Sequence, residues 1–261
     1  MIKKQTLIAA FLFAFTLSAG AAAAQTLRIG LSGDPDTLDP TQTRHGSGYV
    51  VRTARATGSS TSARSWRSCR NSRPIGNGRT IERGWSSSFA PGVKFHDGEP
   101  FDAAAVKYNI ERHLTMPGSA RRSDIRPIAG VEVIDEHTAK ITLSAPFAPL
   151  LVQLAYNAGA MMSPKAARAA GENFGSHPVC SGPFKFVERV AQERIVLERF
   201  AEYWDKDKIK VDRIVYLPFP DATVRLANLH SGGLDLIEGL PRQISTHSVR
   251  TRVSNSPPST G

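Results

Sequence analysis

His96 and Asp97 stand side by side in "KFHDGEPF", and an imidazole beside a carboxylate is the pairing from which acid–base catalysis is most readily built. No Ser or Cys nucleophile is placed with them, and Gly98 makes the tripeptide a turn between a strand and a helix, which accounts for both residues without chemistry. Cys180-Ser181-Gly182 holds nucleophile types but lacks the GxSxG elbow of an exported hydrolase. Gly76-Asn77-Gly78 opens like a dinucleotide loop, yet Ile81 occupies the last glycine position and no strand precedes it. His113 and His137 read as a helix-face residue and a turn residue, and no CxxC or HxxxH spacing supports a metal site. The expectation is a non-enzyme with no cofactor and no metal. Cys69 and Cys180 could form one disulfide in an oxidising compartment, although Cys69 lies in a stretch of unusual composition.

The elements that would position these residues alternate between strand and helix. Thr26-Leu27-Arg28-Ile29-Gly30-Leu31 alternates as a half-buried strand does, and Gly33-Asp34-Pro35 ends it. Val93 and Phe95 read as the end of a strand. Asp102 can cap a helix whose Val106, Ile110 and Leu114 share one face. Val131 to Ile134 and Ala139 to Leu143 read as a hairpin about Asp135-Glu136-His137, and Leu150 to Tyr156 as a helix. Pro164 to Ala170 has proline in its first turn and Gly171 just past its end, the usual helical asymmetry. Phe184 to Val187, Arg194 to Glu198 and Asp212 to Leu217 read as strands, and Asp221 can cap a helix from Ala222 to Leu229 that Gly232-Gly233 stops.

Address and charge restrict the class further. Lys3 and Lys4, an apolar run from Leu7 to Leu17 and Ala22-Ala23-Ala24 have the layout of a secretory signal peptide, with cleavage expected after Ala24. The run is shorter than the roughly 20 apolar residues that span a bilayer, so an exported, soluble protein is expected. The net charge of +10 suggests nucleic acid until its distribution is read. Residues 44–88 hold nine Arg and ten Ser, with Glu82 the one acid, and contribute +8; residues 241–261 contribute +3 through Arg242, Arg250 and Arg252. Without Lys3 and Lys4 the rest is about −3. Trp66 and Trp85 are isolated rather than interleaved as stacking platforms, and no nucleic-acid partner is expected.

Five segments in register resemble the extracytoplasmic solute-binding proteins of family 5, the peptide and nickel class: "PGVKFHDGEPFDAAAVKYNIER" (Pro91 to Arg112), "LSAPFAPLL" (Leu143 to Leu151), "PVCSGPFKF" (Pro178 to Phe186), "LERFAEYWD" (Leu197 to Asp205) and "LPFPDATVRLANLHSGGLDLIEGL" (Leu217 to Leu240). "LRIGLSGDPDTLDP" fits as well. The resemblance implies an α/β fold of the periplasmic-binding-protein type (type II, cluster C), with two lobes closing on a ligand about a hinge and an extra domain beside the first lobe. It implies no chemistry. The expected partners are a peptide or similar small solute and an inner-membrane ABC permease, the location the periplasm, and the state a monomer. On this reading residues 25–43 give the first strand of lobe I, 89–174 the extra domain and 175–240 the continuation of lobe I. Family members are considerably longer, so this chain is expected to be a fragment with the second lobe beyond Gly261.

The resemblance also implies sites. Asp36 and Thr37, at the edge after the first strand, are candidate ligand contacts; the competing reading is a turn whose side chains only fix the backbone. Cys180, Ser181, Gly182 and Pro183 are candidate hinge residues near the crossing between domains; the competing reading is a structural turn with Cys180 a buried thiol. Residues 44–88 and 241–261 carry nothing family-like as written. Codons compatible with Arg64 to Pro74, read one nucleotide before Ser65, give Lys-Leu-Glu-Ile-Val-Pro-Gln-Leu-Ala-Thr, and Val249 to Thr260 yields a family-like string under the same shift. Both segments are expected to be translated out of frame. The expected function is that of a substrate-binding component impaired by truncation; the alternative is a non-functional exported remnant that binds no ligand.

Overall fold

The computed structural model describes residues 25–44, 48, 51, 84–89 and 91–240. The signal segment with its cleavage point after Ala24, Trp66, Cys69, Gly76-Asn77-Gly78, Ile81, and the tail 241–261 lie outside the described residues. So does any Cys69–Cys180 pairing.

Two sheets carry the fold. The larger is five-stranded, in the order β5-β6-β7-β1-β8. Its strands are β1 (Thr26–Leu31), β5 (Phe184–Val190), β6 (Arg194–Arg199), β7 (Arg213–Pro218) and β8 (Leu236–Ile237). β1 is the central strand of the parallel part, pairing β7 from Thr26↔Arg213 to Leu31↔Pro218 and β8 at Ile29↔Leu236 and Gly30↔Ile237. Flanked on both sides, it buries its last three residues in succession instead of alternating to its end. β6 runs antiparallel to β7 and to β5. Ile29, Leu31, Leu38, Phe184, Ile195, Leu197, Ile214 and Tyr216 make the core of this half, joined by Val51. Val51 is fully buried, so the first residues of the Arg/Ser-rich stretch still supply a core side chain.

The smaller sheet is antiparallel, in the order β2-β4-β3: β2 (Gly84–Ser88), β4 (Thr138–Leu143) and β3 (Ile128–Asp135). β3 and β4 form the expected hairpin, closed by the amide of His137 donating to Asp135 Oδ1 at 2.8 Å. β2 was not expected, because "GWSSS" has no apolar alternation; its pairing is all backbone, running Gly84↔Thr142 to Ser88↔Thr138. Helix α1 (Ala103–Thr115) covers this sheet with Ala105, Val106 and Ile110, packed with Phe95, Val131, Ile141 and Leu143. Asp102 caps it, accepting from Ala105 N at 2.7 Å.

Val93–Phe95 is not a strand. Phe95 N reaches Glu99 O at 2.8 Å and Phe101 N reaches Val93 O at 2.8 Å, so the segment folds back on itself around Gly98, whose φ of 83° is glycine's to adopt. The arms leave room for a single bridge, Lys94↔Pro100. Three shorter helices complete the described chain: α2 (Leu150–Ala155), α3 (Pro164–Ala170) and α4 (Ala222–His230), the last capped by Asp221. A third cluster of Ala160, Met162, Ala167, Phe174 and Cys180 includes the Met162↔Cys180 bridge.

Candidate functional site

Because β1, β7 and β8 are parallel, their carboxyl ends open on one edge, where ligands of open α/β sheets sit. Three loops meet there: Ser32 to Asp36 after β1, Phe219 to Asp221 after β7, and Glu238 to Leu240 after β8. Glu238 Oε2 accepts from both the amide and the hydroxyl of Ser32 at 2.8 Å, while its own amide donates to Gly30 O at 2.8 Å. Phe219 N donates to Leu31 O at 2.9 Å. Asp34, with only 4% of its side chain exposed, takes Arg189 Nη2 from β5 at 2.9 Å and Gln192 N at 3.1 Å on one oxygen. Arg225 of α4 lies buried beneath the edge and donates to Phe219 O and Pro220 O.

Asp36 and Thr37 lie on this edge, and the structure shows what they hold. Asp36 Oδ1 accepts from Thr37 N at 2.9 Å and Thr43 Oγ1 at 3.0 Å, and Oδ2 from Arg44 N at 3.1 Å. Thr37 Oγ1 accepts from Asp39 N at 3.1 Å. Gly175 approaches so closely that a Cβ there would lie 2.2 Å from Thr37 Oγ1. Both side chains therefore fix the loop; Asp36 stays exposed and Thr37 half-buried. Ser32, Glu238, Arg189 and Arg225 were not singled out in the sequence. The Ser32–Glu238 contact spans 206 residues, a separation at which no local pattern announces a partner.

A buried polar cluster ties the edge loop to α1. Asp39 is fully buried and takes Arg112 on both oxygens, at 3.0 and 2.6 Å, a two-pronged geometry that suits guanidinium and carboxylate. Arg112 Nη1 also reaches Thr41 Oγ1 and lies over the Phe174 ring at 5.6 Å. His113 Nδ1 is 3.0 Å from Thr41 Oγ1. Burial first, and then the Arg112 charge, push the His113 imidazole down to about 3, so it is neutral here. Its contribution to stability is complete above the ordinary histidine value and is lost as pH falls from there toward about 3, since the unfolded chain takes the proton first. His113 is thus on a helix face as expected, but as part of this cluster.

Cys180 to Pro183 lie where the two sheets meet. The His96 amide donates to Cys180 O at 2.8 Å, the Cys180 amide reaches His96 Nδ1 at 3.4 Å, and His96 Nε2 is 2.9 Å from Gly182 O. The Phe200 ring meets His96 edge-on at 5.0 Å, and Phe200 N donates to Pro183 O at 2.8 Å. Asp97 turns to Ser163 Oγ at 2.6 Å, the residue that caps α3. His96 and Asp97 are therefore used separately, each as a tie. Cys180 is buried and Ser181 with it. Among the described residues no group of three or more His, Cys, Asp and Glu could hold a metal ion.

The profile of the bacterial extracellular solute-binding proteins, family 5 Middle, matches residues 85–259, and the chain belongs to that family. The glutathione-binding protein GsiB of Pectobacterium atrosepticum is 38% identical over 152 residues, which are 58% of this chain and 30% of that protein. GsiB of Salmonella typhimurium is 39% identical over 142 residues, 54% of this chain and 28% of its own. Among solved structures, AgaA of A. tumefaciens R10 in complex with agropinic acid superposes with a TM-score of 0.68 at 28% identity, over 84% of this chain and 44% of that one. The Escherichia coli murein tripeptide binding protein MppA gives 0.71 at 20% identity, over 88% and 49%, a likeness of fold. The chain thus spans about a third of the length of the curated relatives it matches and less than half of either solved structure. The mixed α/β fold is that of the periplasmic binding proteins. The family match also enters residues 241–259, within the tail expected to be out of frame.

Proposed function

We propose that this chain is the ligand-receiving part of an exported substrate-binding component of an ABC importer, and that its solute is a short peptide or similar small molecule. Family membership supports the class. The observation that carries the site is the meeting of three parallel strand ends, braced by Ser32–Glu238 and Asp34–Arg189, at the edge where Asp36 is exposed. Asp36 and Thr37 are the proposed contacts, with the main chain of the loop they shape, and Cys180 to Pro183 the proposed hinge. The relatives named for glutathione make glutathione the first solute to try. The periplasm is the proposed location and an inner-membrane permease the proposed receiver.

Thermal unfolding with and without solute tests this. A bound solute at 100 times its dissociation constant adds about 2.7 kcal/mol of stability. Glutathione or a di- to pentapeptide pool should raise the melting temperature of the chain, and Asp36→Ala should reduce that rise. No shift with any of them favours the second reading, an exported remnant without ligand.

A further inference from the structure

The tie at His96 differs from the others that hold the two sheets together because its geometry depends on a proton. The Cys180 amide is a donor and approaches Nδ1, so Nδ1 carries the lone pair; Nε2 then bears the hydrogen and donates to the Gly182 carbonyl. This neutral tautomer satisfies both contacts. A charged imidazole is a donor at both nitrogens and sets an N–H against the Cys180 N–H.

We propose that His96 is a proton-released latch: its neutral ring fastens the Cys180–Pro183 loop to the turn before α1, and protonation lets that loop go. The contacts of the loop elsewhere agree. It is held on one side by the Met162↔Cys180 bridge and on the other by Phe200 N on Pro183 O, so opening at His96 frees a short span between two anchors. The charged groups around the ring are largely balanced. On its own turn, Lys94 pairs with Glu202 at 2.8 Å, Glu99 with Lys165 of α3 at 3.2 Å, and Asp97 is bonded to Ser163. From the loop itself come the Cys180 thiol and, upstream, His177, which stacks on Phe186. From β5 and β6 come Lys185 and Glu198, paired at 2.8 Å, and beyond β6 lie Phe200 and Tyr203. The direction follows from the tautomer: the fold holds the neutral form, so the latch is closed at higher pH and opens as pH falls through the range of about 8 to 5 in which imidazoles titrate.

Cys180 reports the state of the loop because its thiol is buried in the closed form. Labelling by a thiol reagent, read on the Cys180 peptide by mass spectrometry and divided into the rate for the denatured chain at the same pH, gives a protection factor free of the thiolate fraction. That factor should fall at least about tenfold between about pH 7.5 and about pH 5.5. In His96→Gln, whose amide can accept from Cys180 and donate to Gly182 but does not titrate, it should change less than about twofold. Acid destabilisation through His113 is present in both chains, so the difference between them is the measure. An equal fall in both chains, or none in the unsubstituted one, overturns the latch. Where the glutamine variant fails to fold, the ring nitrogen chemical shifts of His96 in the unsubstituted protein decide. The Nε2–H tautomer, giving way to the charged ring in step with loss of Cys180 protection, upholds the proposal; the Nδ1–H tautomer or a ring already charged at about pH 7.5 overturns it.

Discussion

Arg112 shows how much one side chain can be asked to do in this fold. Its guanidinium is 9% exposed, meets both oxygens of a fully buried Asp39, touches Thr41 and covers Phe174. A buried pair of this kind is a poor source of net stability, since both charges are desolvated, yet removing one partner leaves the other charge stranded. Arg112→Met should therefore destabilise the chain by about 3–5 kcal/mol in urea unfolding, and Asp39→Asn added to it should restore part of the loss. A loss under about 1 kcal/mol would mean that water reaches Asp39 once the guanidinium is gone. Nothing in "TLDPTQT" or "NIERHL" pairs these two residues, which are 73 positions apart; Asp39 read as turn punctuation and Arg112 as a solvated helix residue.

The elements themselves were largely legible, and the reason is that their causes are local. α1 shows this best: the Asp102 side chain bonded to Ala105 N and the buried Ala103, Val106 and Ile110 are all consequences of spacing. Asp102→Ala should cost about 1 kcal/mol in chemical unfolding, the usual worth of such a cap, while Asp102→Ser should cost less. The candidate site was only half legible for the converse reason. Its loop after β1 is announced by Gly33-Asp34-Pro35, but Glu238, Arg189 and Arg225 reach it through the strand order β5-β6-β7-β1-β8, which no local pattern encodes. β2 escaped notice because a strand held by backbone pairing alone needs no apolar signature. Val93–Phe95 misled because its alternating apolar residues serve a folded-back turn that sends Phe95 into the core.

At the scale of the whole chain, the charge and the fold are separable. The basic excess belongs to stretches beyond the two sheets, while Val51 in one core and β2 in the other sheet are family-like structure at both margins of the Arg/Ser-rich run. The out-of-frame proposal thereby contracts to the residues between them, together with the tail. Coding DNA that, shifted by one nucleotide, reads Lys-Leu-Glu-Ile-Val-Pro-Gln-Leu-Ala-Thr across Arg64 to Pro74 is the expected result; a DNA sequence with no such frame sinks it.

β1 is flanked by strands that begin 187 and 207 positions later, Thr26 lying against Arg213 and Ile29 against Leu236. Its place in the centre stays empty of neighbours until nearly the last described residues have been synthesised. Closure of such long loops slows a chain's collapse to its final form. A polypeptide that begins with an export-type leader gains from that delay, because the larger sheet cannot set while the thread is still passing through a narrow channel.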